Sequence, residues 1–133
     1  MKYIGKYAEH LVLAELLRRG MEAYLAIKAN QDDYDITAII GDQRIVRIQV
    51  KASELNNEST NNPIYHVDKN YDYLVLVIVA EDVASFFVIP KCAVLKIKGN
   101  DVGLYTTKME NKQFKVRDSF LPYAGQWGKL CHV

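Results

Sequence analysis

Cysteine is scarce in this chain. Cys92 and Cys131 are too few and too far apart for a zinc site. They suit a reducing compartment, and a single bridge between them stays open on sequence grounds. No apolar run reaches the ~18 residues that a membrane span needs; the longest, residues 74–80, is strand length. The first residues, Met-Lys-Tyr-Ile-Gly-Lys-Tyr-Ala-Glu, lack the apolar segment and small-residue cleavage site of a signal peptide. A cytoplasmic protein without a membrane partner is expected. Net charge is nearly absent at +1, which argues against a phosphate-binding protein, although distribution matters more than the sum. Internal repeats and low-complexity tracts are missing too.

What is present is apolar content of 50%, enough for one modest core in one domain, residues 1–133. Charge is unevenly placed. Residues 91–117 carry seven basic side chains (Lys91, Lys96, Lys98, Lys108, Lys112, Lys115, Arg117) against Asp101 and Glu110. This stretch reads either as a phosphate-tracking surface or as a solvated rim.

The most informative stretch is residues 35–51. Ile36-Thr-Ala-Ile-Ile40 is rich in β-branched residues, Gly41-Asp42 is a turn signal, and residues 44–51 alternate polar with apolar. A β-hairpin follows. Alternation with period two sends Ile45, Arg47, Gln49 and Lys51 to one face, opposite Arg44, Val46 and Ile48. Gln49 and Lys51 are expected to leave the sheet side by side at the strand end, with Asp35 across the hairpin. A carboxylate, an amide oxygen and an ammonium then converge. Thr37 and Ala38 are expected to keep the sheet surface beside them small.

The flanking chain gives a simple order of elements. Residues 3–19 predict an amphipathic helix with Ile4, Ala8, Leu11, Val12 and Leu16 on one face. Leu13 and Leu17 widen that face, so cover on two sides is expected. Arg18-Arg19 suit the negative helix end, and Gly20 is an αL stop. Glu9, between Ala8 and Val12, belongs at the helix–sheet boundary. Residues 21–27 predict a strand and residues 30–33 a polar turn, where Asp32 and Asp33 could hold a metal-bound water. Residues 53–62 predict a polar loop beyond Lys51, whose Asn and Ser side chains could meet a phosphate or simply cover the surface. A short strand at 64–67 carries His66, read as a structural hydrogen-bonder. Residues 73–79 predict a strand buried on both faces and 85–89 its neighbour. Pro90 opens a helix over 91–97. Residues 104–117 fit strand or helix, and 118–133 predict a small C-terminal cap anchored by Trp127.

Asp35 followed by Gln49-Val50-Lys51 resembles the PD-(D/E)XK nuclease signature, in the variant where glutamine replaces the second acidic residue. Gly5-Lys6-Tyr7-Ala8-Glu9 is similar to the N-terminal glutamate helix of that superfamily. Residues 71–79 with Phe87-Val-Ile-Pro90 resemble its later core strands. The set Glu9, Asp35, Gln49 and Lys51 is most similar to the Gln-containing homing endonucleases of group I introns and related bacterial endonucleases. The resemblance spans about residues 3–98, leaving 99–133 as an addition. It departs from the pattern at Tyr34, which stands where the name-giving proline would be, and at Gln49, which removes a charge.

The resemblance implies an α/β restriction-endonuclease-like αβββαβ core, with a mixed central sheet flanked by helices. It implies Mg²⁺-dependent hydrolysis of DNA phosphodiester bonds, with Mn²⁺ as substitute. Magnesium prefers oxygen ligands and usually takes one or two carboxylates. Asp35 and Glu9 would supply them, with the Gln49 carbonyl oxygen and a backbone carbonyl at Val50. Lys51 would orient the water or hold the scissile phosphate. A neutral Gln49 implies weak metal binding that depends on the substrate phosphate. Cutting two strands implies a homodimer or higher homo-oligomer. Two other readings compete: a catalytically weak or inactive nuclease-fold DNA-binding module, and a small protein-interaction or immunity protein.

Overall fold

A computed structural model describes residues 1–27, 33–55 and 63–131. Helix α1 (Ile4–Arg18) is followed by strands β1 (Glu22–Leu25), β2 (Ile36–Ile40) and β3 (Arg44–Glu54). Strands β4 (Tyr73–Ala80) and β5 (Val83–Pro90), helix α2 (Lys91–Lys98) and a hairpin of β6 (Thr107–Glu110) and β7 (Gln113–Val116) come next. Two 3-10 turns, Asp118–Tyr123 and Trp127–Cys131, end the described chain.

The five strands form one sheet in the order β1-β2-β3-β4-β5. All neighbours are antiparallel except β3 and β4, which run parallel from Ile48↔Tyr73 to Glu54↔Val79. The mixed sheet and its flanking helices match the restriction-endonuclease-like expectation. The order of elements differs in one respect. The described part of the β3–β4 crossover, residues 55 and 63–72, contains no helix, and the second face is covered by α2 after β5.

Alternation along β3 and β4 sorts the side chains onto two cores. Val46, Ile48 and Val50, with Val75, Val77 and Val79, face α1 and meet its stripe Ala8, Val12 and Leu16. Leu74, Leu76 and Ile78 face the other way, toward Val94 of α2, Leu104 and Phe120. β4 is thus buried on both faces, as its unbroken apolar run predicts. Each such Leu, Ile or Val contributes about 1.5–3 kcal/mol through burial.

Four expectations are revised. Leu17 is 52% exposed, so Leu13 and not Leu17 widens the packed face of α1; the fully buried stripe, Ala8, Val12 and Leu16, runs at i, i+4, i+8. Residues 64–67 form no strand, because only Ile64 bridges to Leu104. The ambiguous stretch resolves as the β6–β7 hairpin, whose tip residues Asn111 and Lys112 both have positive φ, as a two-residue type I′ loop requires. Ala38 lies on the face of Ile36 and Ile40, packed toward α1 and not beside Asp35. Gly20, with φ 81°, stops α1 as expected.

The C-terminal turns tie the two sides together. Trp127 is 2% exposed and packs at 5.4 Å on Phe86, with the Arg19 guanidinium over its ring at 5.5 Å. Ala124 bridges to Phe87, covering part of the outer edge of β5. No helix among the described residues is long and apolar enough to cross a membrane.

Candidate functional site

Strand β3 changes partners at Ile48. Its last pair with β2 is Ile36↔Ile48, and its first with β4 is Ile48↔Tyr73. On the β2 side, the edge of β3 is therefore vacated from Gln49 onward. On the β4 side it is unpaired before Ile48. Each gap is filled by an aspartate.

Asp35 fills the first gap. Its Oδ2 accepts the Val50 backbone N–H at 2.8 Å and the Gln49 Nε2–H at 3.0 Å. Asp72 fills the second. Its Oδ2 accepts the Arg47 backbone N–H at 2.8 Å, while the Arg47 guanidinium approaches Oδ1 at 3.2 Å. Burial alone would raise the Asp72 carboxyl, but the hydrogen bonds and charge of Arg47 hold it below the usual range. The backbone N–H and C=O of one strand residue point to the same edge. The Val50 carbonyl therefore also opens onto the vacated edge beside Asp35.

The bond to Asp35 fixes the orientation of the Gln49 amide. Its nitrogen is the donor, so Oε1 is left out of that contact. That oxygen is buried and accepts no hydrogen bond among the described residues. Gln49 as a whole is 6% exposed. An orphaned buried carbonyl costs about 1–3 kcal/mol, so its place beside a carboxylate calls for an electrophilic partner. A divalent cation is such a partner, and the donor set fits one. The carboxylate of Asp35, Oε1 of Gln49 and the carbonyl of Val50 are the oxygen ligands that magnesium prefers.

Lys51 shares the face of Gln49 and is half-buried. Burial pushes its ammonium below the ordinary lysine range; the Asp35 charge opposes that shift and Lys69 adds to it. The face is set by register: Gln49 and Lys51 stand beside Leu74 and Leu76, on the α2 side. Neither residue lies at the end of its strand, as the sequence suggested. Pairing with β4 prolongs β3 to Glu54, so both sit in mid-strand.

Glu9 is half-buried on α1, which covers the opposite face. The structure thus joins Asp35, Gln49 and Val50 by hydrogen bonds and brings Lys51 within reach of the Asp35 charge, whereas Glu9 stands on the helix that covers the other face of the sheet. Among the described residues no group of three or more His, Cys, Asp or Glu side chains is placed to hold a metal. An ion here would depend on the Gln49 oxygen. Asp33 Oδ1 accepts the Asn70 N–H at 3.5 Å, tying the segment before β2 to the turn before β4. Asp32 and most of the polar loop, residues 56–62, lie outside the described residues. His66 is exposed, with φ 60°, near Tyr65.

Sequence reasoning gave no site role to Arg47, Asp72 or Lys69, and named Lys91 only within the basic stretch 91–117. Arg47 had a signal, since it shares the alternation of Gln49 and Lys51. Lys91 Nζ donates to the Lys69 carbonyl oxygen, a pairing that only the folded chain creates.

No protein-family model matches the chain, and no curated protein matches it in sequence. Solved structures do. The bacterial homing endonuclease I-Ssp6803I superposes with a TM-score of 0.68 at 17% identity, over 98% of this chain and 91% of that one. The Holliday junction resolvase Hjc of Archaeoglobus fulgidus superposes with a TM-score of 0.51 at 18% identity, over 96% and 94%. Both are nucleases of the PD-(D/E)XK-like fold, and this chain has that fold.

Proposed function

We propose that this chain is a metal-dependent DNA endonuclease of the Gln-containing PD-(D/E)XK kind. The observation that carries the reading is the orphaned Gln49 Oε1 beside Asp35 at the point where β3 changes partners. The nuclease fold of its structural neighbours supports it.

Asp35, the Gln49 side-chain oxygen and the Val50 carbonyl would hold Mg²⁺, or Mn²⁺ in its place. Glu9 would be the second carboxylate, directly or through water, reaching past the edge of β3 that β2 leaves open. Such an ion supplies neutralisation of phosphate charge and a water of lowered pKa. Lys51 donates to the attacking water or to the scissile phosphate from a partly desolvated position, where a point charge acts more strongly than in bulk water. Asp35, held by Val50 N–H and Gln49, keeps its orientation before substrate arrives. Two copies acting together would cut both strands of a duplex.

The test is incubation with duplex, branched and single-stranded DNA in Mg²⁺ and in Mn²⁺, beside an Asp35→Ala control. Cleavage leaving 5′-phosphates, lost in the control, is expected. Cleavage that survives Asp35→Ala in purified protein ends the assignment. One observation favours a catalytically silent DNA-binding module instead: Asp35 already caps the Val50 N–H, a role it could fill without chemistry. That reading gives salt-sensitive DNA binding with no cleavage in either metal.

A further inference from the structure

The candidate site lies where two halves of one sheet face meet. Gln49 and Lys51 share that face with Leu74 and Leu76 of β4, which are buried with Val94, Leu104 and Phe120. On the other side of Asp35, the same face carries Arg47 and Ile45 of β3, Thr37 and Ile39 of β2, and Tyr24 of β1. This half is open: Tyr24 is 55% and Ile45 62% exposed.

A cleft of about 340 Å³ lies in the open half, and its described walls are Tyr24, Leu25, Ala26, Ile27, Tyr34 and Thr37. That volume is at the low end of the ~300–1,000 Å³ typical of small-ligand sites. The cleft adjoins Asp35. The Ala26 N–H donates to the Asp35 carbonyl at 2.8 Å and continues the Leu25↔Ile36 register, so Ala26 stands across from Asp35. Residues so paired have Cβ atoms about 4.5–5.5 Å apart. Thr37 is the next residue of β2 on this face, about 7 Å along the strand from Asp35.

The walls decide what can enter. None of these six residues is charged, and the Tyr24 hydroxyl donates to a carboxylate, Glu22 Oε2, at 2.6 Å. A phosphate in the cleft would meet no cation from its walls and would approach an anion, which is unfavourable. Two phenol rings and a threonine hydroxyl suit a flat group with apolar faces and a polar edge. A nucleobase is such a group, and aromatic side chains hold unpaired bases by stacking. Tyr34 packs against the α2-side core, which fixes that wall. A phosphate bound at Asp35 brings its sugar and base with it. Side chains fill the β4 side, so the room for the base is on the β1–β2 side.

We propose that this cleft receives an unpaired nucleobase from the nucleotide beside the scissile phosphate, and that the substrate is therefore DNA with unpaired bases. The inference rests on the nuclease reading and adds a substrate class to it. A base in a perfect duplex must first leave its stack, at a cost that an unpaired base avoids.

The test uses the full chain carrying Asp35→Asn, so that binding is read without cleavage. Affinity is measured for a fluorescent duplex, for a single strand, and for an abasic strand of equal length, which keeps every phosphate and has no base. The parent is expected to prefer the base-bearing strand to the abasic one. Adding Tyr24→Ala is expected to weaken binding of the base-bearing strand at least about fivefold and to leave the abasic strand unchanged. Tyr24→Phe keeps the ring and should retain binding. Ala26→Leu narrows the cleft and should give the same selective loss as Tyr24→Ala. Tyr3→Ala, an exposed ring ahead of α1, is the control and should move neither affinity.

If Tyr24→Ala and Ala26→Leu bind both strands as the parent does, or lose both equally, the base cleft is refuted. A parent that binds only the duplex refutes it as well, and in all these cases the nuclease reading stands. A parent dimer that Tyr24→Ala dissolves in sedimentation, without base-selective loss, gives the exposed β1 edge to a second copy and overturns the proposal. If the parent binds none of the three DNAs, the nuclease reading fails and the cleft with it.

Discussion

Gln49→Glu restores the acidic residue that the nuclease signature usually carries, and its cost can be worked out beforehand. The new carboxylate would lie where the amide nitrogen now sits, 3.0 Å from Asp35 Oδ2. Two unit charges at ~3.5 Å repel by about 5 kcal/mol at an effective dielectric constant of ~20. Protonation caps that cost. Neutralising a carboxyl of pKa ~4.3 at pH 7 takes about 3.7 kcal/mol, and the neutral acid can then donate to Asp35. The metal-free variant should therefore lose about 2–4 kcal/mol at pH 7, read as a fall in Tm of roughly 8–15 °C for a chain of this size.

The pH dependence follows with a definite sign. The folded-state pKa of the introduced group is raised above its unfolded value. The penalty is thus absent below the unfolded pKa and grows as pH climbs toward the folded one. At pH 5 the cap is only about 1 kcal/mol. The gap between variant and parent should nearly close there. Millimolar Mg²⁺ should raise the variant's Tm by several degrees at pH 7, through binding to the folded state alone, and move the parent by about a degree or less. The assay is thermal denaturation in EDTA and in MgCl₂ at both pH values. A deficit that ignores both pH and Mg²⁺ would refute the cation seat at Asp35 and Gln49.

Further outcomes are expected from the same geometry. Asp35→Ala should abolish cleavage, and it should also lower Cm in urea, because the Val50 N–H on the open edge loses its acceptor. Lys51→Met should abolish cleavage yet raise Tm at pH 7. Burial depresses the folded-state pKa of Lys51, so its charge opposes folding, and the gain should shrink as pH rises toward the ordinary lysine range. Titration calorimetry should give a Mg²⁺ heat with DNA present and almost none without it; tight binding by the free protein would contradict a neutral Gln49 ligand. Trp127→Ala should cost about 3–5 kcal/mol in denaturant unfolding, because the ring fills the space between Phe86 and Arg19.

The hairpin and both helices were legible in the sequence because local signals there agree with the tertiary fold. Gly41-Asp42 sits between two runs of the right period, and Gly20 and Pro90 bracket elements where backbone chemistry demands it. Residues 104–117 were not legible. A short exposed hairpin has little burial to impose a period, and Asn111-Lys112 is a weaker turn signal than Asn-Gly. Size misled at Ala38. A small side chain was expected to make room near Asp35, but its parity with Ile36 turns it toward α1.

The meeting of Asp35, Gln49 and Lys51 was legible in the sequence, but its cause was not. Period-two reasoning brings Gln49 and Lys51 to one face, and hairpin pairing brings Asp35 opposite. Neither argument sees β4. It is the parallel partner, 25 residues further on, that prolongs β3 beyond Lys51 while β2 stops at Ile36. That mismatch in strand length leaves the Val50 N–H and carbonyl on an open edge. It also draws Asp35 in as a side-chain substitute for a missing strand, and turns the Gln49 amide so that its oxygen is buried without a donor among the described residues. Long-range register thus creates the polar vacancy, and local alternation only selects which residues stand around it. A sheet in which β2 paired with β3 as far as Lys51 would satisfy the same alternation and hold no such oxygen. Shortening the mismatch, by extending β2 backward through Asp35, should therefore remove the site while leaving the fold intact.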